Sequence, residues 1–154
     1  MIVFGPGQFT FLPQGTNLTF VDARALPSAP PVFRAQVLSH LRAYAGTHPS
    51  PALLLKQLGF LLATAPLTPG AKAAAWTVLS SLGGLHRCGT GTDLTGRRGQ
   101  SICANSRQYG TELLIDPQTA SVLSVEERLA KPSPAYPGLP TQTLIQSDTF
   151  TSQP

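Results

Sequence analysis

Charged residues make up only 12% of this 154-residue chain, and acids are the scarcer half, seven Asp and Glu against eleven Lys and Arg. The formal charge of +4 therefore reflects missing acids, with the cations scattered and Arg97-Arg98 near Arg107 as their densest group. A nucleic-acid binder concentrates cations in a patch or along one helix, so this distribution predicts a solvated surface and no nucleic-acid partner. Long hydrophobic runs are also missing: no stretch reaches the roughly 18 apolar residues of a membrane-spanning helix. The N-terminal MIVFGPGQF lacks the basic start and the roughly 7–15-residue apolar core of a signal peptide, which taken alone predicts a cytosolic chain. Low charge together with 15 Pro and 14 Gly excludes a highly charged disordered chain and predicts one globular domain rich in turns.

Recognisable chemical motifs are scarce as well. His40, His48 and His86 have no ligand spacing with one another or with Cys88 and Cys103, and a structural zinc site needs about four ligands. Glu126 and Glu127 are adjacent, so on a strand they point to opposite faces and make no acid/base pair. The loop GTGTDLTGRRG lacks the G-x-x-x-x-G-K-[ST] phosphate-binding pattern and is flanked by strand-like runs. Neither cysteine sits in a nucleophile motif. These residues predict no enzyme, no cofactor and no metal. The alternative from another class is a hydrolase using Ser101, His86 and Asp93, the polar trio closest together in the chain, although nothing positions them as nucleophile, base and orienting acid.

Three hairpins and three helices can be read from what is present. In QFTFLPQGTNLTFV, a loop over Pro13 to Thr16 sets Phe9 opposite Phe20 and Phe11 opposite Leu18, with alternating faces. The triplet Asn17-Leu18-Thr19 fits a glycosylation acceptor by chance. Ser28 before Pro30-Pro31, Ser50-Pro51 and Thr68-Pro69 each announce a helix, because the hydroxyl can accept from first-turn amides and proline has no N–H to orphan there. Gly46, the approach to Pro66, and Gly83-Gly84 are the stops. Core stripes follow at helical spacing: Phe33, Val37, Leu41, Tyr44; Leu54, Leu58, Leu61, Leu62; Ala75, Trp76, Leu79, Leu82. A second hairpin closes around Asp93 to Arg98, setting Thr92 opposite Gly99, Thr90 opposite Ser101 and Cys88 opposite Cys103. The third, YGTELLIDPQTASVLSVEERLA, divides two apolar runs at Asp116-Pro117-Gln118-Thr119, a turn in which proline pre-sets φ and Asp bonds ahead to the turn amides. Thr111, Leu113 and Ile115 share one of its faces, and EERLAK leaves the sheet. Residues 131–154 form a Pro/Ser/Thr-rich tail, read equally as disorder or as one further strand in TQTLIQSDTF.

In order, LPSAPPVFRAQVLSHL, LTPGAKAAAWTVLSSLGGL, TDLTGRRG and TELLIDPQTASVLS resemble the C-terminal part of a family of actinobacterial envelope proteins, most of them described only as hypothetical. The resemblance covers residues 22–130. It implies an extracytoplasmic domain, tethered in full-length members by a membrane helix upstream. It also implies similarity to lipoprotein-carrier and sigma-factor-regulator domains, in which helices cover a curved antiparallel sheet that binds lipid or a partner protein. Two departures stand out: the family's turn glycine is Ala120 here, and the upstream membrane segment is absent, as expected of a fragment or a freestanding copy.

The expected fold is α+β, with residues 1–130 as one domain, a curved antiparallel sheet of four to six strands built from hairpins and covered by about three helices. The expected function is a non-catalytic extracytoplasmic sensing or binding module of the cell envelope, with a lipid or an anti-sigma-type protein as partner. A structural half-domain without activity of its own is the third reading.

Cys88 and Cys103 carry the one expected covalent link. Opposed Cα atoms in an antiparallel pair lie roughly 4.5–5.5 Å apart, within reach of a disulfide worth ~3 kcal/mol. Two buried thiols in a cytosolic protein are the alternative, and the envelope resemblance favours the bond. Protein from its native compartment, unfolded in an alkylating agent without reductant, should gain no alkyl groups by mass spectrometry; two added groups would exclude the disulfide.

Overall fold

Hydroxyl caps set where three of the helices begin in the computed structural model, which describes residues 18–46, 48–106, 109–129 and 143–147. Thr19 opens α1 (Phe20–Arg24): its hydroxyl accepts from the Asp22 amide at 3.3 Å while the Asp22 carboxylate accepts from the Thr19 amide at 2.9 Å. This reciprocal capping box corrects the expected first hairpin, whose second arm at Leu18 to Phe20 is a cap and a helix start. The other arm, with Phe9 and Phe11, lies outside the described residues. Three longer helices follow where the Pro-opened segments were expected, with the hydroxyl caps of the last two as predicted. They are α2 (Pro30–Ala45), α3 (Pro51–Thr64) and α4 (Pro69–Ser81). Ser50 Oγ accepts from the Leu53 amide and Thr68 Oγ1 from the Ala71 amide, both at 3.2 Å. Among the described residues the helices therefore number four, where about three were expected.

An open, curved antiparallel sheet follows, with strands β1 (His86–Thr92), β2 (Arg98–Asn105), β3 (Tyr109–Ile115), β4 (Val122–Leu129) and β5 (Thr143–Ser147) in spatial order β1-β2-β3-β4-β5. The fold is thus α+β. Strand β5 resolves the reading of the tail at residues 143–147 in favour of a strand, paired with β4. Glu126 to Leu129 remain in β4, whereas the sequence suggested that they leave the sheet. Glu126 to Arg128 are paired on both sides, with β3 and with β5, and Leu129 with β3.

The register of the second hairpin differs by one residue from expectation. Thr92 faces Arg98, not Gly99, and Thr90 faces Gln100, not Ser101. Asp93 is the cause: its carboxylate accepts from the Thr95 amide at 2.9 Å and the Arg97 amide at 2.8 Å. Those bonds tighten the loop to Asp93 through Arg97 and hand Arg98 to the strand. A β-bulge then intervenes between Arg87 and Gly89, so His86, not Cys88, stands across from Cys103. Cys88 is the extra residue of that bulge, and Gly89 beside it takes φ +118°, a conformation open chiefly to glycine. The bulge swings Cys88 back toward its partner: Cys88 and Cys103 form a disulfide, with Cα atoms 5.9 Å apart.

Helix α3 lies on β2, β3 and β4; α4 packs against α3, and α2 against α4. At Gly59 the helix comes so close that a Cβ would stand 2.7 Å from Leu113 Cδ1 and 3.2 Å from Val125 Cγ2. Leu54, Leu58 and Leu61 of α3, Phe33, Val37 and Leu41 of α2, and Ala75 and Leu79 of α4 are all buried, as their spacing predicted. Gln57 is fully buried with both amide atoms unpartnered, a cost that sequence periodicity does not disclose. Among the described residues no helix is long and apolar enough to cross a membrane.

The β3–β4 turn is built as predicted around Asp116, whose carboxylate accepts from the Gln118 amide at 2.8 Å. The Ala120 amide then donates to the Asp116 carbonyl at 2.8 Å, with Ala120 held at φ +55°. A Cβ in this left-handed region costs ~1–2 kcal/mol, partly offset by the lower unfolded-state entropy of alanine. Ala120→Gly should raise stability by about 0.5–1 kcal/mol, seen as a higher urea midpoint with unchanged slope. A lowered midpoint would show that the turn does not need glycine.

Candidate functional site

Helix α3 spans the middle of the sheet and leaves β1 mostly exposed. One cavity opens between α4 and this uncovered edge and a second between α4, the end of α3 and the loops at one end of the sheet, and Trp76 lines both of them. Trp76 is the chain's single tryptophan.

The first cavity, of about 220 Å³, is walled by Leu55, Trp76, Leu79, Leu82, Leu85 and Ile102. Its polar margin is formed by Ser80, His86 and Arg87. Arg87 pairs in register with Ile102, which puts both on the helix-covered face of the sheet. Arg87 makes no ion pair among the described residues, so an uncommitted cation stands beside an apolar pocket. The volume falls below the ~300–1,000 Å³ that accommodates a drug-sized ligand, and suits one short apolar group.

The second cavity is wider, about 730 Å³, and more polar. Lys72 and Trp76 reach it from α4, Arg97 from the β1–β2 loop, and Thr119 and Ser121 from the β3–β4 turn. Both loops lie at the same end of the meander, which is why two turns distant in sequence share one groove. Arg97 is held by Asp93 through Nε and Nη2, both at 2.6 Å. Burial works to raise the Asp93 pKa, but the Arg97 and Thr95 amides, the Thr95 hydroxyl and the Arg97 guanidinium together hold it down, from 3.8 to about 2.

The hydrolase trio does not assemble. His86 opens β1 and Asp93 lies past its far end, about 20 Å along an extended strand. Asp93 is committed to Arg97, and the buried Ser101 hydroxyl donates to Glu112 Oε1. Glu126 and Glu127 point apart as predicted: Glu126 binds Arg128 at 2.7 Å, while Glu127 meets Lys56 of α3 on the helix-covered face. His40 and His48 lie far back in the chain from the cysteines, on and after α2. What sequence reading missed is Glu112, which stands across from Cys103 on β3. Only the register could have found it. Arg87 and the role of Trp76 were likewise hidden, since both depend on what α3 leaves uncovered.

Comparison with protein-family models, with curated proteins and with solved structures returned no match. The disulfide by itself points to an oxidising, non-cytosolic setting.

A carboxylate whose folded pKa is depressed contributes stability that is present above its unfolded pKa and is lost as pH falls through the folded value. For Asp93 that window runs from about 3.8 down to about 2. Asp93→Asn should therefore destabilise the protein at pH 7, and the gap in urea midpoint between variant and wild type should close as pH falls toward 2. A gap independent of pH would show that the Asp93 charge does not fasten the loop.

Proposed function

We propose that this domain is a non-catalytic, extracytoplasmic binding module of the cell envelope, and that its ligand is an anionic amphiphile such as a lipid. The observation that carries the reading is the apolar pocket of about 220 Å³ with Arg87, which makes no ion pair among the described residues, at its margin. Burial of a short apolar group contributes ~25 cal/mol per Å² removed from water, and a cation at the mouth selects a carboxylate or phosphate over a neutral head. The disulfide supports the extracytoplasmic part of the reading, and the family resemblance supports the envelope.

A protein partner of the anti-sigma type is the second reading. Strand β1 favours it, being a sheet edge among the described residues with mostly exposed side chains, and an edge strand can accept an added strand from a partner.

Because Trp76 is the sole tryptophan and lines the pocket, its fluorescence reports occupancy directly. Titration with a lysophosphatidylglycerol below its micelle concentration should give a saturable change. The zwitterionic lysophosphatidylcholine should bind more weakly, and Arg87→Ala should erase that preference, worth about two- to five-fold for an exposed cation. An unchanged Trp76 signal, together with recovery of neither lipid nor protein partner from native envelope preparations, would overturn the proposal.

A further inference from the structure

On the sheet face turned away from the helices, the two cysteines have a third companion. Cys103 pairs in register with Glu112, and the bulge returns Cys88 to the same spot. The Cys88 and Cys103 sulfurs and a Glu112 carboxylate oxygen all lie within 4.8 Å of one another. Glu112 is already oriented, because the Ser101 hydroxyl donates to its Oε1. Its Oε2 stands 3.6 Å from Arg128 Nη2, beyond hydrogen-bond range, and Arg128 is bound more closely by Glu126 at 2.7 Å. Cys88 is exposed, so a reductant has access to the bond.

We infer that reduction of the Cys88–Cys103 bond uncovers a binding site for a thiophilic divalent cation of the zinc class, with both thiolates and the Glu112 carboxylate as ligands. A dithiol reductant supplies two electrons and two protons. The S–S bond breaks, two thiols form, and the reductant leaves as its own disulfide. Metal binding then displaces the two thiol protons to solvent. Two sulfurs at ~2.3 Å from a tetrahedral ion are about 3.8 Å apart, a separation that cysteines already placed for a disulfide reach by side-chain rotation alone. Two thiolates and a carboxylate leave the loaded site with one net negative charge, and Arg128 is at hand to offset it. The fourth position stays open to water, as in zinc sites with three protein ligands. Oxidised, the protein holds a disulfide; reduced, it holds a metal. This inference does not depend on the amphiphile reading, since it uses the opposite face of the sheet.

Cobalt(II) is the probe, because thiolate ligation gives it an intense charge-transfer band. Protein reduced with a phosphine should develop that band at one equivalent, with the near-ultraviolet circular dichroism of Trp76 preserved. The oxidised protein should show none. Glu112→Gln, and separately Ser101→Ala, which removes only the orienting hydroxyl, should each weaken cobalt binding roughly 10–100-fold. Absence of the band in reduced protein would overturn the inference. So would a band that appears only with loss of the Trp76 signal, or one that Glu112→Gln leaves unchanged.

Discussion

The contact between α3 and the sheet at Gly59 is the constraint from which the rest of the architecture follows. With hydrogen in place of a side chain, the helix settles directly onto Leu113 and Val125. The same helix carries the Lys56 ammonium to Glu127, fixing its position along β4 as well as its height above the sheet. Neither charge is free in water, and together they anchor an otherwise apolar interface at one point. Slippage of α3 along the sheet would separate that pair and drive Leu113 into a residue larger than glycine.

A helix seated so closely at the centre cannot also cover the edge. Helix α4 packs on α3 beside strand β1, the gap between α4 and β1 becomes the smaller cavity, and the wider one opens on the same Trp76 toward the β1–β2 and β3–β4 loops. The two cavities are therefore a by-product of tight packing elsewhere. The strained turn at Ala120 borders the wider cavity, so backbone strain and the polar groove occupy the same end of the sheet.

Legibility of the sequence tracked the range of the interactions involved. Ser50-Pro51 and Thr68-Pro69 announced α3 and α4 because a cap is satisfied within three residues, and Asp116 announced its turn for the same reason. Thr19 and Asp22 are equally local, yet the alternation of Phe and Thr around them reads as a strand, although the two residues form a capping box. The cysteine pairing was foreseen through a register that the structure does not have. The expected ladder, with Arg98 in the loop, put Cys88 and Cys103 opposite each other, whereas in the structure the strand gains Arg98 from the loop and a bulge residue at Cys88. Bulges answer to twist and tertiary contact, which alternation of side chains does not encode. The same limit hid Glu112 beside the disulfide and Leu123 as the extra residue between β3 and β4.

Strand order bears on the way the chain comes to be folded. Every strand in β1-β2-β3-β4-β5 pairs with the one next to it in sequence, so the sheet can grow as the polypeptide emerges, without waiting for a distant segment. The disulfide lies within the first hairpin, spanning a sequence separation of 15. During vectorial delivery from the N-terminus, the helices and this hairpin arrive before β4 and β5. An oxidant can therefore lock the starting edge of the sheet while the opposite edge is still being made, with only two thiols in the chain and no wrong partner to choose.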